Sequence, residues 1–233
     1  VSGPILAVEG VDVAYGSARV LHGVSLAVAP GEMVFIAGRN GAGKTTLLRT
    51  ISGFLPRISG SVRFDGRDLG NAPPDRVARA GIRYVAQEKR VFGKLTVREN
   101  IELAAHVTGE RVKDAVARIV AMYPPMEKFL DGLAGSLSGG QRQILLIGRA
   151  LVGSPRLLLV DEPTEGLAAG VIEDIFRLLD GMKGQLSFLI VEQNLPVIGR
   201  LADRVYLMKE GKIIRELASR PEIEAPDAVE RHL

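Results

Sequence analysis

Gly38-Arg39-Asn40-Gly41-Ala42-Gly43-Lys44-Thr45-Thr46 fits the spacing G-x-x-x-x-G-K-[ST], between an apolar strand-like run at residues 33–37 and a helical pattern at residues 47–52. Gly38, Gly41 and Gly43 permit the tight turn that aims backbone N–H groups inward, and the helix behind them offers its positive dipole end to an anion. Lys44 supplies a mobile point charge for β- and γ-phosphates, and Thr45 brings a hydroxyl to where Mg²⁺ would sit. Arg39, Asn40, Ala42 and Thr46 complete the loop as candidate phosphate contacts. A strand entering and a helix leaving are the surroundings such a loop requires.

With 233 residues, 46% of them hydrophobic, the chain can bury a sizeable core. Its 30 basic and 27 acidic side chains are interspersed, for a net charge of +3, and form no basic stripe that would track a nucleic acid. No nucleic-acid partner is expected. Cysteine is absent, which removes disulfides, zinc–thiolate sites and thiol nucleophiles. His22, His106 and His232 are too scattered to make a metal site. Residues 1–4 show no basic segment leading into an apolar core, so no secretory signal is read there. No apolar run approaches bilayer-spanning length.

Upstream of the glycine loop, residues 5–8, 11–15 and 24–28 alternate like short antiparallel strands separated by glycines. Residues 61–64 followed by Asp65-Gly66 predict a hairpin strand, residues 74–80 a short helix and residues 82–86 another strand. After Gln87 the period becomes helical over residues 96–107, 111–122 and 125–130, the first opened by a capping box, Thr96 to Glu99. Residues 157–160 are an unbroken apolar run, expected of a parallel strand buried on both faces. A helix at 171–179, a strand at 187–191, a helix at 195–202 and strands at 204–208 and 212–215 complete an α/β pattern. The chain beyond Ser219 reads as a peripheral helix or loose end.

Two further stretches carry chemistry. The run at 157–160 delivers Asp161 and Glu162 to a strand end, where open α/β sheets bind ligands, and strand alternation would point the two carboxylates apart. Asp161 is assigned to magnesium and Glu162 to polarising a water aimed at the γ-phosphate. Leu137-Ser138-Gly139-Gly140-Gln141 precedes a strongly apolar helix. Ser138 can cap that helix, leaving N–H groups of two glycines at its positive end as a second anion site. One reading is an ordinary Ser-capped helix start; the other is a clamp on a nucleotide held by another subunit.

Taken in order, an aromatic at Tyr15, the glycine loop, Gln87, Leu-Ser-Gly-Gly-Gln and Asp161-Glu162 resemble the nucleotide-binding subunit of an ATP-binding-cassette (ABC) transporter. The resemblance covers nearly the whole chain. It implies an α/β fold: a P-loop ATPase core with a mixed sheet, an N-terminal antiparallel β subdomain and an inserted helical subdomain. Residues 1–87 and 155–218 would form the core, 88–154 the helical part and 219–233 a peripheral tail of a single domain. The resemblance further implies ATP and Mg²⁺ as cofactors and a dimer that sandwiches ATP between the P-loop of one subunit and the Ser-Gly-Gly segment of the other. Tyr15 would stack on adenine, Thr45, Gln87 and Asp161 would meet the metal, and Ser138, Gly139 and Gly140 would reach the γ-phosphate across the dimer, with Gln141 a further nucleotide-binding candidate. Tyr15 also fits a half-buried strand aromatic, and Gln87 an ordinary loop amide.

Two positions depart from the family pattern. Gln193 stands where a His usually contacts the γ-phosphate, and Gln donates a hydrogen bond without carrying a proton. Ala168 stands where many members have Asp. Glu165-Gly166-Leu167-Ala168, Val191-Glu192-Gln193-Asn194 and Arg90-Val91-Phe92 resemble the smaller ATPase subunit of importers for branched-chain amino acids or urea. That branch implies membrane subunits, a second ATPase subunit (a related partner or a second copy), an indirect solute-binding protein and a peripheral place on the cytoplasmic face of the inner membrane. Many amino-acid members have Glu where this chain has Gln87, which keeps amino acids, urea and short amides open. The other readings are a non-transport ABC ATPase and a module that holds ATP without turnover.

Overall fold

The strand entering the glycine loop, β3 (Met33–Ala37), is buried at every residue. A strand covered on both faces needs neighbours on both edges to satisfy its backbone. In the computed structural model, which describes residues 3–224, β3 pairs in parallel with β8 (Ser187–Val191) on one edge and β9 (Arg204–Lys209) on the other. Beyond β8 come β7 (Leu157–Asp161) and β6 (Ile82–Val85); beyond β9 comes β10 (Lys212–Leu217), antiparallel, for the order β10-β9-β3-β8-β7-β6. The antiparallel edge makes this sheet mixed.

A second, antiparallel sheet has the order β2-β1-β4-β5: β2 (Ala18–Val28), β1 (Leu6–Tyr15), β4 (Ser59–Phe64) and β5 (Arg67–Asp68). The first two differ from the sequence expectation. Instead of short pieces separated by glycines, each strand runs on through its glycine, with register shifts between Val8 and Val11 and again up to Ala14. Gly10 (φ 59°) and Gly23 (φ 62°) lie in the left-handed region, so the glycines bulge the ladder without ending it. The β4–β5 hairpin turns on Asp65 (φ 51°) and Gly66 (φ 75°), both left-handed as a two-residue turn demands.

The described chain forms two compact units. The first takes in the chain up to Tyr84, Arg156–Glu162 and the chain from Met182 onward. Both sheets lie in it, with β6 on its border, together with α1 (Lys44–Ile51), α2 (Pro74–Ala80), α7 (Leu195–Leu201) and α8 (Arg220–Glu224). The second, Val85–Pro155 with Pro163–Gly181, holds α3 (Val97–Thr108), α4 (Val112–Met122), α5 (Gly139–Ala150) and α6 (Ala169–Asp180). Residues 163–181, read with the core from the sequence, thus pack with the helices. The helix expected at 125–130 is a 3₁₀ segment, Pro124–Phe129, after two prolines at its start. Thr96 caps α3 with the reciprocal bonds of a capping box. α8 occupies the start of the expected tail, whose remainder, like His232, lies outside the described residues.

Candidate nucleotide site

Behind Gly43 (φ 102°), α1 begins at Lys44 with no side-chain cap, leaving the N–H groups of its first turn for an anion. The glycines are needed for different reasons. A methyl at Gly38 would run into the backbone oxygen of Met208, and one at Gly43 would stand 2.8 Å from Leu21. Gly41 (φ 81°) meets nothing and is needed for its left-handed backbone alone. Arg39 and Asn40 are exposed at the turn, while Ala42 and Thr46 are buried beneath it.

The Lys44 ammonium is 4% exposed. Its Nζ donates to the carbonyl oxygens of Gly38 (2.6 Å) and Arg39 (3.1 Å) and lies 3.6 Å from Glu162 Oε1. Burial pushes the lysine's pKa down, and the Glu162 carboxylate pulls it back up. This ammonium is therefore short of solvent and bonded to its own loop.

Asp161 ends β7 and is fully buried. Thr45 Oγ1 donates to its Oδ1 (3.2 Å) and the Tyr84 hydroxyl to its Oδ2 (3.0 Å). Burial raises the Asp161 pKa, opposed first by the Tyr84 and then by the Thr45 hydrogen bond. A hydroxyl and a carboxylate at this separation are oxygen donors of the kind a hard cation takes. Among the described residues no group of three or more His, Cys, Asp or Glu could hold a metal. An ion at Thr45 and Asp161 would complete its shell with water and phosphate oxygens, as magnesium does.

Glu162 departs from its neighbour by a different route than strand alternation. Its φ is 45°, and its N–H donates to Val191 O of β8 (2.9 Å), so the chain leaves β7 through a left-handed residue. Gln193, just past β8, donates from Nε2 to Glu162 Oε1 (2.7 Å) and to Asn40 Oδ1 of the glycine loop (2.7 Å). Glu192 holds that turn by accepting the N–H groups of Gln193 (2.7 Å) and Asn194 (2.9 Å). Lys44, Thr45, Asn40, Asp161, Glu162 and Gln193 are therefore brought together at the ends of β3, β7 and β8. Tyr84 and Glu192 belong with them, though neither is a site candidate from the sequence. Tyr84 falls inside the strand expected at residues 82–86, and no local spacing ties it to Asp161. Tyr15, 47% exposed, ends β1 before a turn at Gly16 (φ 60°).

The remaining candidates lie in the second unit. Gln87 Nε2 donates to Glu165 Oε2 (2.7 Å), and Lys89 Nζ to Glu165 O. Ser138 caps α5: its Oγ accepts from Gln141 N (3.3 Å), and Gln141 Oε1 accepts from Ser138 N (2.9 Å). A methyl on Gly140 would overlap Val171 of α6, whereas one on Gly139 would sit 3.7 Å from Leu167, an ordinary contact. Gln141 and Gly140 thus have structural reasons of their own. Ala168 precedes α6 without any side-chain cap.

Comparison with known proteins places relatives beside this geometry. The family profile described as ABC transporter matches residues 21–165. The chain is similar to the high-affinity branched-chain amino acid transport ATP-binding protein BraG of Pseudomonas aeruginosa, 37% identical over 212 residues, spanning 90% of this chain and 91% of that one. It is also similar to the lipopolysaccharide export system ATP-binding protein LptB of Escherichia coli K12, 33% identical, spanning 86% and 85%. Among solved structures, a nucleotide-free ATP-binding cassette from an ABC transporter superposes with TM-score 0.88 at 32% identity over 99% of both chains. A dimeric ATP-binding cassette in a post-hydrolysis state bound to ADP and Pi superposes with TM-score 0.81 at 28% identity, over 91% of this chain and 98% of that one.

Proposed function

The chain belongs to the ABC transporter family, and from that premise we propose that it is the ATP-hydrolysing subunit of an importer for branched-chain or other amino acids. Members of the family hydrolyse ATP, and the chain is an ATPase in that sense. The observation that carries the site assignment is Glu162 Oε1, which accepts from Gln193 at 2.7 Å and lies 3.6 Å from Lys44 Nζ, beside the phosphate loop. Of these three groups only the carboxylate can take a proton from water, since the amide cannot and the ammonium is already protonated.

In the proposed cycle the loop N–H groups and Lys44 hold the phosphates, with Lys44 leaving its own loop carbonyls for phosphate oxygens. Thr45 and Asp161 would hold Mg²⁺, with Gln87 as the further candidate for its shell. Magnesium there would neutralise charge developing on the phosphate oxygens. Glu162 aligns the attacking water, and Gln193 fixes the carboxylate relative to Asn40. Ser138, Gly139, Gly140 and Gln141 act on the nucleotide of the opposite subunit, and Tyr15 stacks on adenine. Dimeric cassettes among the solved relatives support the sandwich. No helix among the described residues is long and apolar enough to cross a membrane, so the membrane subunits and a cytoplasmic-face location belong to the proposal.

The name of BraG supports amino acids as the solute, while that of LptB names an export system. Glu162→Gln is expected to lower phosphate release by roughly 10²–10⁴-fold while keeping ATP binding, and to accumulate an ATP-dependent dimer in light scattering. Ordinary turnover in this variant would overturn the base assignment. Vesicles carrying the assembled transporter, supplied with labelled leucine or urea, separate the solute readings.

A further inference from the structure

We propose that Tyr84 is a positioning residue for Asp161, fixing the plane of its carboxylate so that one oxygen is presented to the nucleotide's cation beside Thr45; this rests on the site reading above. A carboxylate's terminal torsion is broad, so nothing internal to an Asp fixes the plane in which its two oxygens lie. Here directional donors do. The Tyr84 hydroxyl donates to Oδ2 at 3.0 Å and Thr45 Oγ1 to Oδ1 at 3.2 Å. The two donors differ in what cation binding asks of them. Thr45 would turn a lone pair to the ion while its O–H keeps donating to Asp161, which works only if the carboxylate keeps an oxygen on the Thr45 side. Tyr84 lies on β6, next to β7 in the sheet, so its hydroxyl is held by a strand. Its ring is packed by Phe54, with centroids 6.0 Å apart and planes at 54°. Asp161 is fully buried, so no solvent takes over the bond if the phenol is lost.

The test is Tyr84→Phe in the full chain, which keeps the ring against Phe54 and removes only the hydroxyl. A fluorescent ATP analogue is titrated in EDTA and across a Mg²⁺ series, with Asp161→Asn as reference. Affinity in EDTA is expected to match wild type within about 2-fold, while the Mg²⁺ concentration giving half of the magnesium-dependent gain rises roughly ten-fold, the scale of a lost partner behind a metal ligand. Turnover is expected to recover at saturating Mg²⁺. An unchanged Mg²⁺ midpoint, with Asp161→Asn losing the gain, would overturn the role of Tyr84 and leave the site reading intact. Equal loss of affinity in EDTA and in Mg²⁺ would make Tyr84 merely structural and overturn the proposal. If Asp161→Asn keeps the magnesium gain, the metal assignment fails and this inference fails with it.

Discussion

Glu162 occupies a backbone conformation that an L-residue adopts at a cost of about 1–2 kcal/mol, and the bond from its N–H to Val191 holds it there. The result is a carboxylate that meets Gln193 and Lys44, whereas Asp161 meets the Thr45 and Tyr84 hydroxyls. That difference of partners was legible in kind, because strand alternation points successive residues different ways. Its cause was not, since alternation says nothing of the first residue beyond the strand. Gln193 makes a sharper prediction. Gln193→His replaces a neutral donor by one whose charge changes near pH 6.5, and Glu162 beside it would hold the imidazolium's pKa higher. Below that pKa the imidazolium pairs with Glu162 and withdraws the base; above it the carboxylate is released. Turnover of the variant is therefore expected to rise with pH through this window, a limb that wild type lacks at this position. Superimposable pH–rate profiles would sink the idea that residue 193 controls Glu162.

Helix starts were the most readable elements because their signals are local. Thr96 to Glu99 is legible as a capping box and Ser138 as a cap; both close as capping boxes, the second with Gln141 as the returning side chain. The bulged β1–β2 ladder was not readable, since whether a glycine breaks or bulges a strand depends on a partner strand that pairs across it. At the start of α5 the two glycines separate by experiment. Gly140→Ala must push against Val171 and is expected to lose about 1–3 kcal/mol, a melting temperature lower by about 2–4 °C per kcal/mol in a chain of this size. Val171→Ala should restore most of it. Gly139→Ala has room and is expected to melt like wild type; thermal denaturation of the three variants decides. Equal melting of the two glycine variants would remove the packing account of Gly140.

At the scale of the molecule, the fold class was legible from buried runs and their spacing, but the order of strands was not. The candidate site is drawn from the ends of β3, β7 and β8, which are neighbours in the sheet and far apart in the chain. Anything bound across those ends favours the folded state by mass action, about 2.7 kcal/mol at a hundred times Kd. Mg-ATP is therefore expected to raise the melting temperature of Glu162→Gln, and Lys44→Ala in the same background to lose most of that rise; a shift that survives Lys44→Ala would place the nucleotide elsewhere.

The two neighbours of β3 both come from the last quarter of the chain. A ribosome emits the glycine loop early, and on the order of ten seconds or more pass before Arg204–Lys209 follows. During that interval β3 carries apolar faces with neither of its lasting edges available. Nascent chains halted before residue 187 would hold the whole phosphate-loop sequence yet lack both flanking strands. Capture of nucleotide then marks the finished chain, and the unfinished one is the form a chaperone would need to shield.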